Sequence, residues 1–169
     1  PYCSHWCFTV NNPGSWTPKE WIKQATTRNL LKFLCYQLES GVEGTVHIQG
    51  YLEVRQACRL PALKKQLHGQ AHFEIRQGSR EQAILYCMKT ESRIENSRPE
   101  IWSMNDGWCE DYQSFEECMR AKADRRSKTS KRLCSIRSKI GSARSPAEAQ
   151  KVIEMYRHLL SKLINLNRF

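Results

Sequence analysis

The chain has 169 residues, 40% of them hydrophobic, enough for one packed domain and an appendage; no apolar run nears the roughly 20 residues of a membrane span, and no signal-peptide core opens it, so a soluble protein without a membrane partner is expected. Eight cysteines without a Cys-x-x-Cys pair read as free thiols of a reducing compartment rather than a disulfide scaffold. The net charge of +10 divides into 13 Lys plus Arg against 9 Asp plus Glu over residues 1–105 and 14 against 8 over 106–169, which points to a polyanionic partner, nucleic acid before membrane.

Trp6, Phe8 and Val10 alternate with His5, Cys7 and Thr9 until Asn11-Asn12-Pro13-Gly14 breaks the run, predicting a strand and a turn. Thr17-Pro18-Lys19-Glu20 supplies an N-cap hydroxyl, Pro at the first helical position and a carboxylate two further on, so a helix is expected from there to about Arg28-Asn29. Lys32–Glu39 and Thr45–Val54 then predict a hairpin around Ser40–Gly44.

The second hairpin strand has the most chemical content. Val46, Ile48, Leu52 and Val54 fall on one face, and His47, Gln49, Tyr51 and Glu53 on the other, giving one buried and one chemical face. His47 and Gln49 lie about 7 Å apart along a strand, so both can reach one small cation. Glu39, at the end of the preceding strand, can lie beside His47 and add a carboxylate, and Gln37 is a further candidate on that face. The same pattern also describes an ordinary half-solvated sheet face.

Pro61 opens a short helix carrying Leu60, Leu63 and Leu67, which Gly69 is expected to end in a left-handed cap. Ala71, Phe73 and Ile75 alternate as a fourth strand. Ser79 and Gln82 form a capping box for a helix reaching about Lys89. On that helix Ile84, Cys87 and Met88 share one side, while Gln82, Tyr86 and Lys89 share the other, so Tyr86 points away from the apolar face. Arg98–Trp102 reads as a last edge strand, closing a first domain at residue 105. The order contains the split βαβ of ferredoxin-like folds and predicts an α+β protein: an antiparallel sheet with flanking helices, followed by a basic helical C-terminal segment.

Three motifs stand in order over residues 1–105: Phe8-Thr9-Val10-Asn11-Asn12; Gln37-Leu38-Glu39 with His47-Ile48-Gln49-Gly50-Tyr51; and Tyr86-Cys87-Met88-Lys89. Together they resemble the endonuclease domain of replication initiator proteins of circular single-stranded DNA viruses, of the circovirus and nanovirus kind, within the HUH endonuclease superfamily. The resemblance implies that Glu39, His47 and Gln49 are ligands of Mg²⁺ or Mn²⁺, Gln49 standing where other members of the superfamily carry a second His. It implies that Tyr86 is the nucleophile, that Lys89 is the basic residue following it, and that Phe8, Thr9, Asn11 and Asn12 belong to an origin-binding motif.

The chemistry suits those residue types. A hard divalent cation on mixed oxygen and nitrogen ligands polarises a phosphodiester without redox chemistry. A tyrosine, with a phenol pKa of about 10, needs the cation, Lys89 or another base to become a nucleophile. Single-stranded DNA and an origin stem-loop are the expected partners, with Trp6, Tyr51, Arg55 and Arg76 as candidate stacking and phosphate contacts. The expected activity is nicking and joining through a phosphotyrosine link at the start and end of rolling-circle replication.

Residues 106–144 read as an acidic, then basic, linker or helical segment. Arg120–Arg144 holds ten basic residues against Asp124 alone, a DNA-backbone contact, a nuclear-import signal directing the protein to the host nucleus, or a solvated surface. Ser145-Pro146-Ala147-Glu148 opens an amphipathic helix over residues 145–169, with Val152, Tyr156, Leu159, Leu160 and Leu163 as a stripe suited to docking or to homo-oligomerisation. Such initiators usually continue into a helicase domain; Gly-x-x-x-x-Gly-Lys-Ser/Thr is absent, so no ATP site is expected in this chain, and a truncated or partial form is inferred. Two alternatives remain. One is a truncated, non-catalytic DNA-binding regulator of replication. The other is an RNA-recognition-like module, whose Lys/Arg-Gly-Phe signature is missing.

Overall fold

The computed structural model describes residues 1–41, 43–143 and 145–166, without the side chains of residues 155, 159, 160 and 162–166. Six strands, β1 (Cys3–Asn11), β2 (Leu31–Ser40), β3 (Val46–Cys58), β4 (His72–Ile75), β5 (Glu100–Ser103) and β6 (Gly107–Trp108), form one antiparallel sheet in the order β4-β1-β3-β2-β5-β6. β3 inserts between β1 and β2, the arrangement of a split βαβ unit, and the architecture is α+β with flanking helices.

Period-two alternation in β1 and β3 sends side chains to both faces of the sheet, and both faces are packed. On one, Trp6, Phe8, Val10, Leu34, Ile48 and Leu52 meet Trp21 and Ile22 of α1 (Lys19–Lys23) and Leu63 of α3 (Leu60–Gln66). On the other, Phe33, Cys35 and Tyr51 meet Ala83 and Ile84 of α4 (Arg80–Tyr86), with Cys87 and Met88 just beyond it and Met119 from the start of α5 (Tyr112–Gly141). The face of β3 read as chemical is therefore half core: Tyr51 is buried under α4, and only its hairpin end stays polar.

Several boundaries move for local reasons. The helix expected from Thr17 to Asn29 is two, α1 and α2 (Ala25–Leu30), because Gln24 adopts an extended conformation between them. Thr17 caps neither; its side chain hydrogen-bonds Tyr36, and Pro18 stands at the N-cap. α3 ends at Gln66, capped by Leu67 with no left-handed glycine, since Gly69 does not have a positive φ. α4 carries the full capping box at Ser79 and Gln82 but stops at Tyr86, three residues short of Lys89.

β5 is not an edge strand, because β6 pairs beyond it. Residues 1–120 form one compact unit, which extends past residue 105 because Phe115 and Met119 pack in the second core cluster. The second unit, residues 121–169, holds the rest of α5 and α6 (Pro146–Leu166), whose Ser145 hydroxyl accepts from the Glu148 amide as the capping signature predicts. α5 begins at Tyr112, with the Asp111 carboxylate accepting from the Ser114 amide. In the α6 stripe Val152 and Tyr156 are half-buried; Leu159, Leu160 and Leu163 lie outside the described side chains. Among the described residues, no helix is long and apolar enough to cross a membrane.

Candidate functional site

Register assembles the polar end of the sheet. On β2 and β3, Glu39 stands opposite His47 and Gln37 opposite Gln49; on β1 and β3, Thr9 stands opposite Gln49 and Asn11 opposite His47. Because alternate residues share a face, these pairs gather a carboxylate, an imidazole, three amides and a hydroxyl from neighbouring strands.

Glu39 is 1% exposed, yet every contact it makes favours its charge. Its Oε1 accepts from Gln37 Nε2 at 2.9 Å; its Oε2 accepts from Ser92 Oγ at 2.7 Å and faces Lys89 Nζ at 2.9 Å and His47 Nε2 at 3.6 Å. Burial would raise this carboxyl, but the hydrogen bonds from Gln37, Lys89 and Ser92 and the Lys89 charge outweigh it and hold it below the usual value.

The donor set fits a hard divalent cation. His47 Nδ1 lies 3.3 Å from the Thr45 carbonyl and Nε2 faces Glu39 Oε2 at 3.6 Å, so Nε2 is the ring nitrogen presented to the site. Gln49 Oε1 accepts from Thr9 Oγ1 at 3.1 Å, which leaves an amide oxygen its second lone pair. Carboxylate, amide oxygen and imidazole together suit Mg²⁺ or Mn²⁺ better than a thiophilic metal.

Tyr86 ends α4 and is 55% exposed, while Ile84, Cys87 and Met88 are buried beneath it. Helical periodicity sets Ile84 and Tyr86 on different sides of α4, while Cys87 and Met88 are buried by the turn that follows it. Lys89 lies past the helix rather than on it, and the chain turns so that its ammonium sits 4.0 Å from the centre of the Tyr86 ring while holding Glu39. Burial would lower the Lys89 ammonium, but the Glu39 contact, joined by Tyr86, prevails and raises it, so Lys89 is a cation at neutral pH. Tyr86, Gln49 and Thr9 also border one cleft of about 580 Å³ that continues along β4 past His72, Glu74 and Gly78.

The expected nucleic-acid contacts divide sharply. Trp6, Phe8 and Tyr51 are buried and offer no face to a base: Trp6 and Phe8 are core, and Tyr51 donates to Glu53 Oε1 at 2.7 Å beneath α4. Their aromatic character serves packing, because the sheet is covered on both sides where they stand. Arg76 is half-buried and donates to Tyr51 Oη at 2.9 Å, whereas Asn11, Asn12 and Arg55 are exposed. Asn12 adopts φ +49°, a left-handed turn conformation that Asn tolerates. Ser92 and Arg93 are additions that sequence reasoning missed; they lie in a polar loop without periodicity and reach the site through backbone pairing, Glu39 bridging to Arg93.

The family model described as "Putative viral replication protein" matches residues 3–90, from β1 to just beyond Lys89. That span is more than half of the chain, and the chain belongs to this family of viral replication proteins. Its relatives come from circoviruses and nanoviruses, as the motifs imply. The master replication protein of Milk vetch dwarf virus is 40% identical over 90 residues, 53% of this chain and 28% of that protein. The master replication protein of Banana bunchy top virus is 40% identical over 94 residues, covering 56% and 30%. The replication-associated protein of Pigeon circovirus is 42% identical over 87 residues, covering 50% and 26%. The chain thus spans less than a third of the length of these relatives.

Proposed function

We propose that this chain nicks and joins single-stranded DNA at a viral replication origin, with Tyr86 as nucleophile and Glu39, His47 and Gln49 as ligands of Mg²⁺ or Mn²⁺. One observation carries the reading: the Lys89 ammonium touches the Glu39 carboxylate and the Tyr86 ring at once, which unites an oxygen-rich cation site with an exposed tyrosine.

The cation, when bound, neutralises charge on the scissile phosphate. Tyr86 Oη attacks phosphorus as its proton leaves to water, which reaches the exposed ring. The P–O3′ bond breaks, and the departing 3′ oxygen takes up a proton, leaving a free 3′-hydroxyl and a 5′-phosphotyrosine. Lys89, held as a cation by Glu39, is unsuited to accept the phenol proton; it stabilises negative charge developing at the phenol oxygen and phosphate instead. Because the link conserves a phosphodiester, attack by a 3′-hydroxyl reverses the reaction and joins strands.

Origin stem-loop and single-stranded DNA follow the cleft bordered by Thr9, Gln49 and Tyr86; the exposed Asn11, Asn12 and Arg55 and the half-buried Arg76 offer further polar contacts outside its lining. The basic stretch after Arg120 serves backbone binding or import into the host nucleus, and α6 serves homo-oligomerisation.

The test is incubation with a stem-loop origin oligonucleotide and Mn²⁺, followed by a denaturing gel. The parent gives a covalent protein–DNA band that chelator and Tyr86→Phe abolish. Retained DNA binding with no band across metals and origins would replace this reading with a non-catalytic regulator.

A further inference from the structure

A polar clamp joins the strand that carries Glu39 to the turn that carries Tyr86. α4 ends at Tyr86, so the carbonyls that follow lack helical N–H partners. Arg93 Nη2 donates to the Met88 carbonyl, and Gln37 Nε2 donates to the Lys89 carbonyl at 2.7 Å. The two clamp residues are themselves joined, Arg93 Nε donating to Gln37 Oε1 at 2.9 Å. The other Nε2 hydrogen of Gln37 goes to Glu39 Oε1 at 2.9 Å.

Gln37 is buried and uses both amide hydrogens and its oxygen, so its orientation is over-determined: a flipped amide would aim its oxygen at a carboxylate and a carbonyl. The loop is fastened to β2 as well. The Ser40 amide donates to the Ser92 carbonyl at 2.8 Å, the Ile94 amide to the Leu38 carbonyl at 3.2 Å, and Ser92 Oγ to Glu39. Both Ser92 and Arg93 lie outside the residues matched by the family.

We propose that Arg93 and Gln37 are positioning residues that hold Tyr86 at a set place relative to Glu39, so that nucleophile and metal ligand move as one body. This rests on the nicking reading above. A guanidinium suits the task because its planar fork spans two acceptors at once, the Met88 carbonyl and the Gln37 oxygen; an ammonium is a point donor.

The test uses the full chain with Arg93→Met, Arg93→Lys and Gln37→Met. Four quantities are read: single-turnover formation of the covalent adduct at saturating oligonucleotide, oligonucleotide Kd, Mn²⁺ Kd by calorimetry, and the melting temperature. Arg93→Met is expected to slow adduct formation by about 10- to 100-fold with the oligonucleotide Kd changed less than about twofold, and Arg93→Lys to recover part of the rate. Gln37→Met is expected to show the same slowing and to weaken Mn²⁺ binding by about tenfold, since Glu39 loses a donor that orients it.

An unchanged adduct rate overturns the clamp, as does a rate loss that follows oligonucleotide affinity, which would make Arg93 a phosphate contact. A fall in melting temperature alone would make the network structural. If Arg93→Met does not fold, Arg93→Lys decides by the same measures. A parent that binds Mn²⁺ but forms no adduct defeats the nicking reading, and the clamp then stands or falls on whether Gln37→Met weakens Mn²⁺ binding. A parent that does neither defeats both.

Discussion

Gly50 faces Phe8 across the β1–β3 ladder, and a Cβ at Gly50 would stand 2.1 Å from Phe8 Cζ. The ring fills the space a side chain would need and is itself held by Trp21, 5.3 Å away between ring centres, and by Phe73 at 6.0 Å. The glycine of His47-Ile48-Gln49-Gly50-Tyr51 thereby keeps β1 and β3 in the register that sets Thr9 beside Gln49. Gly50→Ala is expected to cost about 1–3 kcal/mol through overpacking, read as a lower urea midpoint. Phe8→Leu on that background should recover part of the loss; no recovery would show that another contact sets the requirement.

Glu39 distinguishes stability from metal binding. Glu39→Ala removes the acceptor for Lys89, Ser92 and Gln37 and is expected to cost about 2–3 kcal/mol. Glu39→Gln keeps the shape and should cost less, while weakening Mn²⁺ binding in calorimetry by an order of magnitude or more. Equal Mn²⁺ affinity in the parent and Glu39→Gln would remove Glu39 from the ligand set.

The same carboxylate gives an acid signature. Its folded pKa lies below the ordinary 4.5, so the folded state binds its proton less readily than the unfolded chain does. The stability it contributes is full above the ordinary value and is lost as pH falls through the lowered one. Urea midpoints measured from pH 6 to pH 3 should therefore fall more steeply in the parent than in Glu39→Gln. Parallel curves would contradict the stabilised carboxylate.

All eight cysteines are free, but their chemistry differs with depth. Burial pushes the Cys35 thiol up to about 12 and raises Cys87 well above the ordinary value. At pH 8 a thiol reagent should label exposed Cys118 and Cys134 quickly, with Cys35 and Cys87 reacting only as the fold opens. Both buried thiols stay protonated in the folded state while the unfolded chain ionises, so stability should decline as pH rises above about 9, and Cys35→Ala should flatten that decline. Rapid labelling of four equivalent thiols would contradict the packing under α4.

A chain ending at Arg120 keeps every residue of both core clusters of the first unit; buried Ile136, which it lacks, belongs to neither cluster. Ending it at Asn105 removes Phe115, stacked 6.3 Å from Phe33 between ring centres, and Met119 from the second core. That shorter chain is expected to lose about 3–5 kcal/mol. Equal midpoints would mean that the first turns of α5 contribute nothing to the core.

Local signals were legible where they act over a few residues. The alternation of β1 and β3, the Ser79–Gln82 capping box and the outward aim of Tyr86 need only a period and a cap, and each lies where the sequence places it. The candidate cation set was legible too, because hairpin register brings Glu39 opposite His47. Trp6, Phe8 and Tyr51 misled because an aromatic on a strand has the same local pattern whether a base or a helix covers it. What covers it is decided when α4 and α5 fold onto one face and α1 and α3 onto the other. Ser92 and Arg93 carry no periodic signal, and only the return of the chain along β2 brings them to Glu39 and Gln37. Sequence determined the side chains, their faces and the hairpin that pairs them. Tertiary packing decided which of those faces stays open and which distant donors complete the site, because burial and long-range hydrogen bonds depend on contacts between segments far apart in the chain.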